Sequence, residues 1–126
     1  MAIVTLAGLQ YAAKILNGVS TDLFIYLATG SGSTAEAESQ TALVSENTAS
    51  GMGRAEATCS YVADYTMHWE YEWTNNSAGD VTIREIAIFD AASNGHMLIR
   101  HVYSEDTVVP PTGKFKGILT APVAQA

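Results

Sequence analysis

The sequence predicts a mainly β fold: an antiparallel sandwich or barrel of about six to eight strands with one short N-terminal helix. Three observations carry that prediction. From Ala57 to Trp73 every second residue is apolar or aromatic: Ala57, Cys59, Tyr61, Ala63, Tyr65, Met67, Trp69, Tyr71 and Trp73. Between them only Val62 is apolar. Successive side chains on a strand point to opposite faces, so this run has one wet and one dry face. Shorter apolar runs follow, separated by turn-forming clusters at 75–80, 94–95 and 110–113. Only residues 5–18 repeat their apolar side chains at helical spacing.

The elements follow in chain order. Thr5 is the expected helix cap, and Leu6, Leu9, Ala13 and Leu16 form the expected packing stripe, with Tyr11 and Ile15 beside them. Asn17-Gly18 ends the helix, since glycine takes the left-handed cap without steric cost. Leu23 to Thr29 reads as a strand buried on both faces. Residues 30–53 are mostly Gly, Ser, Thr and Ala, with Glu36, Glu38 and Glu46 and with Leu43, Val44 and Met52 as apolar anchors. So long a loop is unusual in a compact domain, and a helical turn is expected around Ala35 to Leu43. As one strand, residues 57–73 would span roughly 55 Å, so a bend or reversal is expected near Val62, Ala63 and Asp64. Val81 to Asp90 is the next strand and His96 to Tyr103 its return. A two-residue type I′ turn at Asn94-Gly95 pairs Phe89 with Arg100, Ile88 with His101 and Arg84 with Glu105; a wider loop over residues 91–96 would shift that register. Lys114 to Thr120 closes the fold, with Phe115, Gly117 and Leu119 opposed to Lys116 and Ile118. Residues 121–126 are expected to form an arm that docks on a neighbour.

The totals bound the function. A chain of 126 residues is one domain, 1–126, with a core large enough to fold. Charged residues make up only 15%, which implies that other subunits cover part of the surface. The net charge is −7, and the six basic residues, Lys14, Arg54, Arg84, Arg100, Lys114 and Lys116, are scattered. A phosphate backbone requires clustered Lys and Arg, so nucleic acid is not an expected partner. One cysteine forms no internal disulfide. No apolar run approaches the roughly 20 residues of a membrane helix, and the N-terminus lacks a signal-peptide pattern. A soluble protein made in a cytosol, with no membrane partner, is the expectation.

Candidate sites weigh against chemistry. The glycine-rich stretch 28–34 suits a phosphate loop, but no lysine lies between Lys14 and Lys114; a flexible connection is expected instead. His68, His96, His101 and Cys59 match no zinc spacing. Glu70 and Glu72 share a strand face with His68 and could form an acid pair; a solvated face or a subunit contact is the expected role. Cys59 and His68 sit at odd and even positions of one alternating run, so they face opposite ways and make no nucleophile pair. Tyr61, Tyr65, Trp69, Tyr71 and Trp73 could be a sugar platform, but aromatics fill sandwich cores well, and core is the expectation. No catalytic residue, cofactor or metal is expected.

A family resemblance emerges in the second half. Residues 78–103, AGDVTIREIAIFDAASNGHMLIRHVY, resemble the "(I)xEIGLFDA…GxMLARxxF" hairpin of small tailed-phage virion proteins, labelled tail-fibre-like or capsid-associated. AGL at 7–9, LNG at 16–18, IYLATGSGST at 25–34 and TALVSE at 41–46 resemble the family's "AGL…LxG…YIAVGTGTTAPxxTDTALxxE" in the same order, and Arg54 stands where an arginine often follows. Ala87 replaces a usual glycine, and Ala35-Glu36 stands in place of Ala-Pro. The resemblance implies a non-enzymatic virion structural protein, made in the bacterial host cytoplasm. A capsid decoration or cement subunit is favoured over a tail location. It would bind the major capsid protein or another virion protein as a homo-oligomer, a trimer or dimer. The expected contact residues are Glu36, Glu38, Leu43, Val44, Met52, Arg54, Pro122 and Val123. The alternatives are a tail-fibre or baseplate attachment protein and, from another class, a carbohydrate-binding module using the aromatic face.

Overall fold

The computed structural model describes residues 3–62 and 65–123. In order the elements are β1 (Ile3–Val4), α1 (Leu6–Leu16), β2 (Tyr26–Gly30), β3 (Ala55–Glu56), β4 (Thr58–Val62), β5 (Thr66–Thr74), β6 (Val81–Phe89), β7 (Met97–Val109) and β8 (Lys114–Pro122). Among the described residues these make eight strands in two antiparallel sheets and one short N-terminal helix. The larger sheet runs β1-β7-β6-β2-β3, and the smaller runs β4-β5-β8.

The alternating run divides into β4 and β5, which pair antiparallel from Thr58↔Glu70 to Val62↔Thr66. The expected reversal point, Ala63-Asp64, lies outside the described residues. Trp69 and Trp73 of β5 and Leu119 of β8 meet Ile83, Ile86 and Ile88 of β6 and Ile99 of β7 in a single core between the sheets. The other face of the larger sheet carries a second cluster, Ala28, Leu43, Ala87, Phe89 and Met97, closed by the long loop. That arrangement explains why β2 and β6 read as near-continuous apolar runs: both of their faces are covered. β2 starts at Tyr26 rather than Leu23, which is exposed.

The helix turns a different face inward from the one expected. Leu6, Leu9 and Ala13 face solvent, and Leu16 is 84% exposed. Gly8 is buried, and Tyr11, Ala12 and Ile15 pack on the core. The cause is close approach. A Cβ on Gly8 would lie 2.5 Å from the Leu98 Cα and 2.7 Å from the Met97 carbonyl oxygen, so the small side chains, not the leucines, face β7. The Thr5 hydroxyl accepts from the Gly8 amide at 2.8 Å and donates to the Met97 carbonyl, capping the helix and pinning it to the sheet. Gly18 follows at φ 81°.

The β6–β7 register also differs. Asn94 and Gly95 both adopt positive φ, at 54° and 72°, yet Phe89 pairs with Met97, Ile88 with Ile99 and Ala87 with Arg100. The connection is a wide loop, closed by Asp90, whose carboxylate accepts from the His96 amide at 2.6 Å and contacts its Nδ1 at 2.8 Å. Bulges beside Phe89 and Glu85 absorb the extra residues. Arg84 consequently meets Asp106 at 3.1 Å, not Glu105. Around Ala35 to Leu43 there is one turn, with the Gln40 amide bonded to the Ala37 carbonyl at 3.1 Å, and no helix. In place of a free arm from 121, Ala121 and Pro122 extend β8 opposite Met67 and Thr66. The Val123 amide bonds the Tyr65 carbonyl at 2.9 Å; residues 124–126 lie outside the described part.

Candidate functional site

Two features stand out: a buried ion pair that stitches the long loop to the sheet, and an open apolar groove beside the helix. The pair joins Glu85 of β6 to Arg100 of β7. The Arg100 Nε lies 2.9 Å from a Glu85 carboxylate oxygen, with side chains 1% and 0% exposed. Both side chains point to the face of the larger sheet that the loop covers. The same carboxylate accepts from the amides of Gly32 at 2.9 Å, Val44 at 3.0 Å and Ser45 at 2.8 Å. Three amides and a guanidinium satisfy its oxygens, the condition under which burying a charge is tolerable. Arg100 also donates through Nη1 to the Thr34 carbonyl at 2.8 Å and to the Gln40 side-chain oxygen at 3.1 Å. The glycine-rich stretch contributes one amide, that of Gly32, to the binding of an anion, and the anion is the protein's own. A Cβ on Gly32 would lie 2.7 Å from the Glu85 Oε2 and 2.5 Å from the Val44 Cβ.

Further ties close the loop. Arg54 forks onto Glu46, with Nη2 at 2.8 Å and Nε at 3.2 Å, and donates Nη1 to the carbonyls of Ala91 and Asn94 at 2.9 and 2.7 Å. Its guanidinium lies 3.7 Å from the Phe89 ring centroid. A Glu36 oxygen accepts from the Val102 amide at 3.1 Å. The Asn47 side-chain amide reaches the Thr82 carbonyl at 3.1 Å. The 24-residue segment is therefore a laced cover rather than a slack connection.

The groove has a volume of about 780 Å³. Leu9, Ala12 and Leu16 of α1 form one wall and the ends of β4, β5 and β8 the other, with Leu98 and Ile99 between them. Next in the chain to Ser60, which lines the groove, Tyr61 is 76% exposed, and Tyr65 is exposed too, its amide bonded to the Tyr61 hydroxyl at 3.2 Å. The aromatic face of the alternating run is thus divided. Trp69 and Trp73 enter the core, where their indole N–H groups donate to the carbonyls of Phe24 and Gly53 at 2.9 and 2.8 Å, while Cys59, Tyr61 and Tyr65 stay outside. Burial, then the charge of Glu56, pushes the Cys59 thiol above its ordinary pKa.

The opposite face of the smaller sheet is a solvated charge network. Glu70 meets Lys116 at 3.0 Å and His68 at 3.2 Å. Lys116 first, then His68, holds its carboxyl below the usual range. Cys59 sits opposite Trp69 and Ser60 opposite His68, so the cysteine and histidine lie on different faces, as the alternation requires. Between β7 and β8 a smaller cleft of about 270 Å³ is lined by His101 and Tyr103, and burial raises the Tyr103 phenol above its ordinary pKa. Among the described residues no group of three metal-ligating side chains comes together, and no helix is long and apolar enough to cross a membrane.

The eight expected contact residues do not converge. Leu43 and Met52 are buried, Arg54 has a side chain only 7% exposed, and Glu36 is turned toward β7. Glu38 and Val44 are exposed on the loop, whereas Pro122 and Val123 border the groove. Sequence reasoning did not single out Glu85 and Arg100 as a pair. Glu85 is a charged residue in a strand, Val81 to Asp90, whose apolar residues fill both faces, which is a signal for a buried partner. No family model and no curated protein matches this chain.

Proposed function

We propose that this chain is a structural protein of a tailed-phage virion, most simply a capsid decoration or cement subunit that binds the outer shell through protein–protein contacts and carries out no reaction. The observation that carries the reading is the Glu85–Arg100 pair. Both residues belong to the hairpin segment that resembles the phage virion proteins, and both are spent on architecture: they fix residues 30–53 as a rigid cover over one face of the larger sheet. A cement subunit needs such a preformed surface, because ordering a loose loop on contact would cost conformational entropy at each of many weak contacts. The exposed Glu38 and Val44 sit on this cover. Repeated by the symmetry of a shell, small contacts add up to resistance against internal pressure. The acidic balance suits basic patches on the partner.

The test is add-back. Particles stripped with salt or chelator are incubated with the purified chain, then imaged by cryo-electron microscopy and heated. Density at regular shell positions and a raised temperature of genome release are expected. Density confined to the tail would move the protein to a fibre or baseplate attachment, and no density with unchanged heat resistance would overturn the virion reading altogether.

A further inference from the structure

β4 is an edge strand without the usual protection. Among the described residues it has a partner on one side only, β5. All five of its residues, Thr58, Cys59, Ser60, Tyr61 and Val62, are exposed, and none is charged or proline. Natural edges are ordinarily blunted by lysine, proline, a bulge or a covering element, because unpaired N–H and C=O groups invite another strand. The β4–β5 register runs without a bulge. Beside this edge lies the groove, whose lining contains no Asp, Glu, Lys or Arg among the described residues on a chain of net charge −7.

We propose that a second copy of this chain covers this surface, β4 pairing antiparallel with its two-fold mate so that two three-stranded sheets join into one of six strands. Charge favours this occupant. Two acidic chains repel over most of their surfaces, and this strip offers identical copies an approach along five residues without charged side chains, bordered by Glu56. Area favours it as well. The exposed parts of Val4, Leu9, Leu16, Leu23, Tyr61, Tyr65 and Val123 total on the order of 800 Å², the area each partner contributes to a standard stable interface. The strand is self-complementary about Ser60. Pairing centred there sets Cys59 beside the partner's Tyr61 and Thr58 beside the partner's Val62, one pair on each face. An interface of this kind is isologous and closed, so it stops at two copies. Such a dimer forms in solution whether or not the chain is carried on a phage shell.

The experiment is sedimentation velocity on the full chain at micromolar to submillimolar concentration, with three companions. A mass of two chains is expected. Tyr61→Lys places a charge at each edge and should weaken association by roughly tenfold or more, with an unchanged far-ultraviolet circular dichroism spectrum. Ser60→Cys in a Cys59→Ser background should form an interchain disulfide under mild oxidation, because the two-fold axis brings position 60 against itself. The dye anilinonaphthalene sulfonate should bind the Tyr61→Lys monomer in the groove and be excluded from the wild-type dimer. A wild-type monomer throughout the concentration range, or a trimer, would overturn the proposal. So would a dimer that Tyr61→Lys leaves intact and that Ser60→Cys does not cross-link. Equal dye binding by wild type and variant would show that a small apolar ligand, not a copy, is the groove's occupant.

Discussion

Glu85 shows how far single residues can be read. Its charge is plain in the sequence, but its four partners come from positions 32, 44, 45 and 100, and no local pattern links them. Glu85→Gln leaves Arg100 buried with its charge uncompensated, and urea unfolding should report a loss of about 3–5 kcal/mol. The loop should then be cut by protease between residues 31 and 47 at concentrations the wild type survives. Gly32→Ala tests the close approach separately. Its new Cβ has no room between Val44 and the Glu85 carboxylate, so a loss of about 1–3 kcal/mol is expected. Tyr103 supplies a pH dependence. Its folded pKa is raised by burial, so the unfolded chain gives up that proton first. Its contribution is fully present below about pH 10 and is lost as pH climbs through the higher folded value. Tyr103→Phe should flatten that alkaline decline in melting temperature. Cys59 was expected in the core, because alternation tells which side a residue faces but not whether that side is covered. Its alkylation near pH 8 should be slower than that of free cysteine, and faster in Glu56→Gln, since the Glu56 charge adds to the raised thiol pKa.

At the scale of elements, what was legible depended on how local the cause is. The helix, its Thr5 cap and its Gly18 stop follow from a few adjacent residues and appear as expected. Its inward face does not, because facing is chosen by what the helix meets. Gly8 and Ala12 let the backbones approach, and that contact outweighs burial of the leucines. Thr5→Ala removes the cap and also leaves the Met97 carbonyl without its donor. A loss of about 1–3 kcal/mol in denaturant unfolding is expected, with the helical circular dichroism signal falling first. The β6–β7 hairpin was legible as a pair of strands, and Asn94-Gly95 does turn through positive φ. The register was not, because Asp90 closes a wider loop with its side chain, a bond invisible to a rule based on turn length. The long loop was legible as an irregular segment, but its fixity was not, since the groups that hold it lie on strands far along the chain.

At the scale of the whole molecule, the two-sheet antiparallel architecture was the most legible feature, because period-2 patterning and turn spacing are repeated along the entire sequence. Which surfaces are left open was the least legible, since that depends on how far the smaller sheet extends over the larger one. The lacing of the loop has a last consequence, and it concerns time. The amides of Gly32, Val44 and Ser45 share one acceptor, the Glu85 carboxylate. None can let go without loosening the others' anchor, so two distant parts of the cover should open as one event rather than fraying from their tips. Native-state hydrogen exchange should show the three amides with a common opening free energy. In Arg100→Met, which leaves the carboxylate without its guanidinium, all three should exchange faster by a similar factor while the central amides of β5 change less.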